Sequence, residues 1–105
     1  MPPRTVIIES PYAGNVQANI DYAREAMKDS LDRGEAPMLS HLLYTQVLDD
    51  DDPAERALGI QAGFAWRAAA QATIVYTDLG LTPGMRAGVT DALRRGQNIE
   101  YRSLR

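Results

Sequence analysis

The chain has 105 residues, of which 45% are hydrophobic and 24% charged, and its formal net charge is -3 at pH 7. This length and composition predict a single globular domain over residues 1–105, because so short a chain has no room for a second core. The acidic balance and the scattered Lys and Arg residues argue against a nucleic-acid-binding surface. No apolar stretch reaches membrane-spanning length and no signal-peptide pattern opens the chain, so a cytoplasmic protein without membrane contact is expected.

The residue types available also restrict the chemistry. The chain has no cysteine and one histidine. A disulfide framework, a thiolate nucleophile and a multi-histidine metal site are therefore excluded within one chain. We expect no metal and no cofactor.

The first predicted element is a buried strand. Val6, Ile7 and Ile8 form a continuous β-branched run, which is typical of a strand that is covered on both faces of a parallel sheet.

A predicted turn follows, over Ser10 to Gly14. Pro11 restricts Ser10 to extended geometry, Gly14 can take a positive φ, and Asn15 is a favourable N-cap for the next helix. Such a loop exposes backbone N–H groups beside a helix N-terminus, where a phosphate or carboxylate is favoured. A purely structural turn would use the same residues.

The second predicted element is an amphipathic helix from Asn15 to Arg33, which Gly34 ends. Its apolar residues recur at helical spacing and predict one inward stripe. That stripe consists of Val16, Ile20, Ala23, Met27 and Leu31.

A second strand is predicted over Ala36 to Leu39, at a sheet edge that tolerates Pro37. A short helix capped by Ser40 follows and reaches Leu48. His41 then lies at the carboxyl end of the second strand, level with the loop after the first. A histidine in this position is either a ligand-binding residue or a structural one.

The acidic run Asp49 to Asp52 is interpreted as a helix start. Asp52, Pro53 at the first helical position and Glu55 form a capping-box pattern, which explains the carboxylates better than a bound cation does. The helix is predicted from Pro53 to about Ala70.

Apolar side chains are distributed around this helix. The predicted inward face consists of Leu58, Ala62, Ala65 and Ala69. Ile60, Phe64 and Trp66 add apolar surface on other sides, which in so small a domain predicts contact with another subunit.

The last third of the chain predicts a strand, a helix and a strand. Thr73 to Thr77 is β-branched, and Asp78 to Gly84 is a loop with Thr82 as N-cap and Pro83 at the first helical position. The next helix directs Met85, Val89 and Ala92 inward and stops at Gly96, and alternation predicts a final strand from Asn98 to Ser103.

The predicted order, β-α-β-α-α-β-α-β, defines the fold class. It indicates an α/β three-layer sandwich in which a mostly parallel four-stranded sheet has helices on both faces, as in flavodoxin-like folds. Ligands of such sheets bind at the carboxyl ends of the strands. The residues expected there are Ser10 to Asn15, His41 and Asp78 to Met85.

Three short motifs carry a resemblance to a known family. They are Ser-Pro-Tyr-Ala-Gly at residues 10–14, Asp-Asp-Pro-Ala-Glu-Arg at residues 51–56, and Asp-Leu-Gly-Leu-Thr-Pro-Gly-Met at residues 78–85. With these motifs the chain resembles the nucleoside 2-deoxyribosyltransferase-like superfamily over nearly its whole length, and in particular a branch of small, uncharacterised bacterial and phage proteins.

The resemblance implies a deoxyribosyltransferase-like fold and a nucleoside or nucleotide ligand. In the superfamily the first loop holds the sugar or phosphate, and the late glycine-containing loop introduces a helix with a catalytic Glu. That Glu attacks the anomeric carbon and forms a glycosyl-enzyme ester.

The chain departs from the family pattern at the nucleophile. The pattern places Glu four residues after the glycine of a Gly-Met-x-x-Glu stretch, whereas this chain has Gly84-Met85-Arg86-Ala87-Gly88. Either the glycosidase chemistry is lost, or another carboxylate has replaced the missing one. Glu9 and Asp78 are the candidate catalytic residues, although each is also explained as a structural residue. Gly88→Glu is expected to restore weak activity, because Glu suits a helix better than Gly does and Gly84 and Met85 already match the motif.

Three functions remain open from the sequence. The first is a nucleoside- or nucleotide-binding domain without the inherited catalysis, with a ligand site formed by Ser10, Tyr12, Gly14, Asn15, His41, Asp78, Gly84 and Met85. The second is an active N-glycoside hydrolase or deoxyribosyltransferase with a relocated carboxylate. The third is a non-catalytic scaffold that assembles as a homodimer or higher homo-oligomer through Phe64 and Trp66.

Overall fold

A computed structural model of the protein describes residues 2–105 and contains four strands and four helices. The strands are β1 (Arg4–Glu9), β2 (Glu35–Met38), β3 (Ala72–Tyr76) and β4 (Asn98–Arg102). The helices are α1 (Val16–Asp32), α2 (Ser40–Leu43), α3 (Pro53–Arg67) and α4 (Pro83–Arg94), and a 3₁₀ turn over Tyr44–Gln46 follows α2.

All strand pairs are parallel, and the strand order is β2-β1-β3-β4. This confirms the predicted α/β sandwich and the predicted order of elements. The order matches the first four strands of a flavodoxin-like sheet, and right-handed crossovers place α1 on one face with α3 and α4 on the other. Strand β2 is at an edge, where Pro37 is tolerated because no further strand needs its N–H group.

The face under α1 holds the apolar core. Val6, Ile8 and Ile74 pack there with Tyr22 and Ala23 of the helix. Each of these side chains is almost fully removed from water, which is the main favourable term in folding a domain of this size.

The predicted inward stripe of α1 is confirmed at its centre, where Ala23 is buried and Met27 packs against the core, and is wrong at its ends. Val16 is 38% exposed and Leu31 is 52% exposed. The buried positions are Asn19, Tyr22, Ala23, Ala26 and Ser30. Two of these are polar and have specific partners elsewhere, so a pattern built on hydrophobicity could not find them.

The opposite face of the sheet is built around a buried arginine. Arg67, which is 1% exposed, donates to Glu9 at 2.7 Å, to Asp91 at 2.9 Å and to the hydroxyl of Thr73. These partners belong to β1, α4 and β3. A buried guanidinium requires such a set of acceptors, because an unpaired one would cost several kcal/mol.

Helix α3 begins as predicted but buries a different face. Asp52 accepts from the N–H of Ala54 at 3.0 Å, whereas Glu55 accepts from Asp49 at 2.9 Å and so does not complete the capping box. The helix ends at Arg67 rather than at Ala70. Of its predicted inward face, Leu58, Ala65 and Ala69 are exposed and Ala62 is half-buried.

The true contact face of α3 contains Gly59 and Gly63. A Cβ atom on Gly63 would lie 2.5 Å from the Ser40 hydroxyl oxygen, so the missing side chain is what lets α2 pack this closely. Ser40 is the first residue of α2 and Leu39 occupies the N-cap position, which corrects the predicted capping role of Ser40.

Helix α4 follows the prediction closely. Thr82 caps it by accepting from the N–H of Met85 at 3.3 Å, and Met85 and Ala92 are buried. Gly96, with φ of 65°, ends the turn that follows. Within residues 2–105, none of the helices combines the length and apolarity that a membrane crossing requires.

Candidate functional site

A cleft opens at the carboxyl ends of β1 and β2, between α2, α3 and the start of α4. Its volume of about 140 Å³ is roughly ten times the space that one water molecule needs. The floor and walls include Ile8, Glu9, Ser10, Tyr12, Ala13, His41, Tyr44, Phe64, Arg67, Gly84 and Met85. This is the edge of the sheet where α/β proteins bind ligands.

Glu9, the last residue of β1, forms the charged part of the floor. Its side chain is 14% exposed, and its Oε2 accepts from Nη2 of Arg67 at 2.7 Å. Burial raises the pKa of Glu9 to about 7, since the effect of desolvation exceeds the opposing effect of the Arg67 hydrogen bond. Glu9 therefore exchanges a proton near neutral pH.

Gly88 provides the space that Glu9 occupies. A Cβ atom built on Gly88 would lie 2.1 Å from Oε2, 2.4 Å from Cδ and 2.8 Å from Oε1 of Glu9. Any side chain at position 88 would displace this carboxyl group. A glutamate at position 88 could therefore enter this space only if the Glu9 carboxyl group moved away. The gain of activity expected of Gly88→Glu stays a prediction.

A hydrogen bond between Ser10 and His41 connects the residue after β1 with the start of α2 at the cleft. Ser10 Oγ lies 2.7 Å from His41 Nε2. Burial lowers the pKa of His41 to about 4, so the imidazole is neutral at neutral pH and can accept the Ser10 proton. The same neutrality makes His41 a weak base, so the pair suits ligand contact better than nucleophilic catalysis.

Three aromatic side chains line the cleft, Tyr12, Tyr44 and Phe64. The indole N–H of Trp66 donates to the hydroxyl of Tyr44 at 2.7 Å and fixes that wall. The Phe64 ring centroid lies 5.6 Å from Cζ of Arg67, within the range of a cation–π contact. Aromatic walls beside a polar floor are suited to a flat ring with a polar substituent.

The loop after β1 is held from the α1 side. The Asn19 side-chain amide donates to the carbonyl oxygens of Tyr12 and Ala13, both at 3.0 Å. In a trans peptide the N–H points opposite to the carbonyl, so the N–H groups of Ala13 and Gly14 point away from Asn19. Gly14 has φ of 102° and Asn15 caps α1, as predicted.

The structure brings together most of the predicted site residues. Ser10, Tyr12, His41, Gly84 and Met85 line the cleft, and so does the candidate catalytic residue Glu9. Gly14 and Asn15 lie just outside the lining and shape the loop instead.

Asp78, the second catalytic candidate, lies outside the cleft. Its carboxylate accepts from the Tyr22 hydroxyl and from the N–H of Leu104 at 2.9 Å and the hydroxyl of Ser103 at 2.8 Å. These hydrogen bonds, the Tyr22 bond first, lower the pKa of Asp78. Asp78 therefore holds residues 103–105 in place. Contrary to the prediction, it does not line the cleft.

Sequence reasoning missed Arg67, Tyr44 and the inward position of Phe64. One signal was present: Gly59, Gly63 and Arg67 are spaced by four residues, which puts them on one helix face. Two glycines on that face indicate close packing, and an arginine after them indicates a buried acceptor set.

The acidic run at residues 49–52 supplies the N-cap of α3, which is Asp52. Across residues 2–105 no group of three potential metal ligands occurs.

The fold defines a small α/β domain with a cleft at the carboxyl edge of its sheet. The chain belongs to the family described as a domain of unknown function (DUF7768), whose model matches residues 4–102. A comparison with curated proteins gave no match.

The fit between Gly88 and Glu9 can be tested by a double-mutant cycle. Gly88→Ala should destabilise the protein by roughly 1–3 kcal/mol, as overpacking does, because its Cβ meets the Glu9 carboxyl group. In a Glu9→Ala background the same change should cost much less, and urea unfolding gives both values. Equal costs in the two backgrounds would show that the two residues do not share this space.

Proposed function

We propose that the cleft binds a nucleoside or nucleotide, the ligand class implied by the resemblance to the deoxyribosyltransferase-like superfamily. The observation that carries the proposal is the combination of three aromatic walls with a carboxyl floor at the carboxyl ends of β1 and β2. A nucleobase is flat and stacks on aromatic rings, while its sugar carries hydroxyl groups for polar side chains.

The polar groups favour one orientation of the ligand. Ser10, Tyr12 and Ala13 line the cleft from the β1 loop, and Gly84 lines it from the N-terminus of α4, which adds a partial positive charge. Tyr44 and Phe64 lie on the α2 and α3 side. In the proposed orientation the sugar faces Ser10 on the β1 loop, and the base faces Tyr44 and Phe64.

The charges in the cleft favour an uncharged nucleoside over a nucleotide. Three carboxyl groups, those of Glu9, Asp50 and Glu55, line the cleft together with the guanidinium groups of Arg56 and Arg67. Arg67 is already paired with two carboxylates, and Arg56 lies on the rim 3.8 Å from Asp50. Both arginines that line the cleft thus already face carboxylates, and those carboxylates would repel the charge of a phosphate.

Catalysis is the second candidate function. It is favoured by the position of Glu9, whose carboxyl group fills the space beside Gly88 and lines the cleft. A relocated carboxylate of this kind would make the protein an N-glycoside hydrolase or deoxyribosyltransferase.

Ligand binding can be tested by thermal shift and calorimetry with a panel of deoxynucleosides and their 5′-monophosphates. At least one nucleoside should raise the melting temperature and bind more tightly than its monophosphate. Phe64→Ser should weaken that binding at least tenfold, whereas Leu93→Ser, a matched change at a 65% exposed position on α4, should leave it unchanged. Absence of binding across the panel would refute the proposed ligand class.

We propose, in addition, that the exposed face of α3 pairs with a second copy of the chain. Leu58 is 59% exposed and Trp66 is 51% exposed, and Ala65, which is also exposed, lies between them along the helix. An exposed apolar helix face can pair with the same face of a second copy about a two-fold axis. Phe64, which lines the cleft, is not part of this face.

The assembly proposal predicts a dimer of about twice 11.5 kDa by light scattering at micromolar concentration. Leu58→Glu should shift the protein to the monomer, since it would bury one carboxylate from each copy in the contact. Leu93→Glu places the same charge on the exposed side of α4 and should leave the dimer intact. A monomeric mass for the unmodified protein would contradict the proposal.

A further inference from the structure

We infer that Glu9 acts as a general base on a water molecule, so that the protein hydrolyses the bond between the sugar carbon and the base of a nucleoside in one step. This inference rests on the proposed nucleoside binding. It differs from direct attack by a carboxylate, which would form a glycosyl-enzyme ester. Three features of the cleft floor support it.

The first feature is the recessed position of the carboxyl group. Glu9 is only 14% exposed, and both of its oxygens lie within 2.8 Å of the position that a Gly88 Cβ would occupy. Had a glutamate at position 88 supplied the carboxylate, its oxygens would lie three bonds beyond that Cβ, roughly 3.5 Å further along the side chain. The recess is comparable with the separation of about 2.8 Å between two hydrogen-bonded oxygens. The inference therefore places one water molecule between Glu9 and the ligand.

The second feature is the way in which Arg67 holds the carboxyl group. Oε2 accepts from Nη2 of Arg67, while Nε of the same guanidinium donates to Asp91 and Nη1 donates to Thr73. Glu9 is thus fixed at one oxygen by a side chain that is itself fixed by two other elements. Moving the carboxyl group forward to reach a sugar carbon would break a hydrogen bond to a buried cation, which is costly.

The third feature is the set of charges around Glu9. Arg67 of α3 faces it directly, and Asp91 of α4 lies beyond Arg67 and opposes its effect. His41 of α2 is neutral in the cleft, and Asp50, Glu55 and Arg56 line the outer part. Burial raises the pKa of Glu9 to about 7. A carboxylate that accepts a proton near neutral pH is matched to general-base catalysis.

The step conserves atoms and electrons with water as the only co-reactant. A water O–H bond breaks and its proton moves to Glu9, while the oxygen forms a bond to the anomeric carbon. The carbon–nitrogen bond breaks and its electron pair leaves with the base. The proton held by Glu9 then passes to solvent or to the departing base, which restores the carboxylate.

The test uses the full chain with the nucleosides that bind it, and chromatography measures the release of free base. Glu9→Gln should bind the nucleoside but release base at least a hundredfold more slowly, the contribution expected of a general base. Glu25→Gln, the same change at an exposed position on α1, should leave the rate unchanged. The rate should rise with pH to a plateau with a midpoint near 7, because the ionised form of Glu9 is the active one.

A second arm separates attack by water from attack by Glu9. A reaction run with an excess of a different, isotopically labelled free base should give no labelled nucleoside, because a one-step hydrolysis leaves no intermediate for the base to intercept. Appearance of the labelled nucleoside, or of a glycosylated protein by mass spectrometry, would overturn the inference in favour of a covalent intermediate.

The remaining outcomes distinguish this inference from the proposed function. If the protein binds nucleosides and releases no base, the inference is overturned and the binding proposal stands. If Glu9→Gln releases base as fast as the unmodified protein, Glu9 is not the base and the inference is again overturned. If no nucleoside binds, the proposed function fails and the inference fails with it.

Discussion

The structure depends on the pairing of one buried cation, Arg67, with acceptors from three elements. Its guanidinium joins the end of β1 through Glu9, the last turn of α4 through Asp91 and the start of β3 through Thr73. Without these acceptors a buried arginine could not be accommodated. Without the arginine, Glu9 would lose its cationic partner and Asp91 would keep only Arg95. The network therefore fixes where α3 and α4 lie on the sheet, and so fixes the width of the cleft between them.

The same network determines the chemistry available at the cleft floor. Glu9 is desolvated by the packing around Arg67 and its pKa is raised, whereas the buried imidazole of His41 is kept neutral because its pKa is lowered. Asp78 meets the opposite environment, since hydrogen bonds from Tyr22 and the chain end stabilise its charged form. Glu9, His41 and Asp78 all lie near strand ends. Their environments nevertheless raise the pKa of Glu9 and lower the pKa values of His41 and Asp78.

Much of the fold could be predicted from the sequence. The β-branched runs at Val6 to Ile8 and Thr73 to Thr77, the cap at Thr82 and the glycine at Gly34 all depend on local physical rules, and the structure confirms each of them. The helix faces could not be predicted in the same way. The inward side of α1 includes Ser30, which donates to Glu35 at 2.8 Å, and the inward side of α3 centres on Gly63 and Arg67.

The candidate site was predictable in its location but not in its central contact. Parallel topology brings the carboxyl ends of β1 and β2 together, and the sequence therefore predicts that Ser10 and His41 lie close to each other. The contact of Glu9 with Gly88 joins residues 79 positions apart in the chain, on a strand and a helix. Nothing in the sequence specifies that distance. The sequence also offers no reason to prefer Glu9 to Asp78 as the carboxyl group of the cleft, whereas of the two the structure places only Glu9 in its lining.

The most direct test of this account is an NMR titration of the Glu9 side-chain carboxyl carbon, assigned by comparison with Glu9→Gln. The account predicts a midpoint near pH 7, because burial against Gly88 outweighs the hydrogen bond from Arg67. A midpoint at or below the ordinary glutamate value of about 4.3 would contradict it, since the hydrogen bond from Arg67 would then outweigh burial and Glu9 would be too weak a base to match its proposed role.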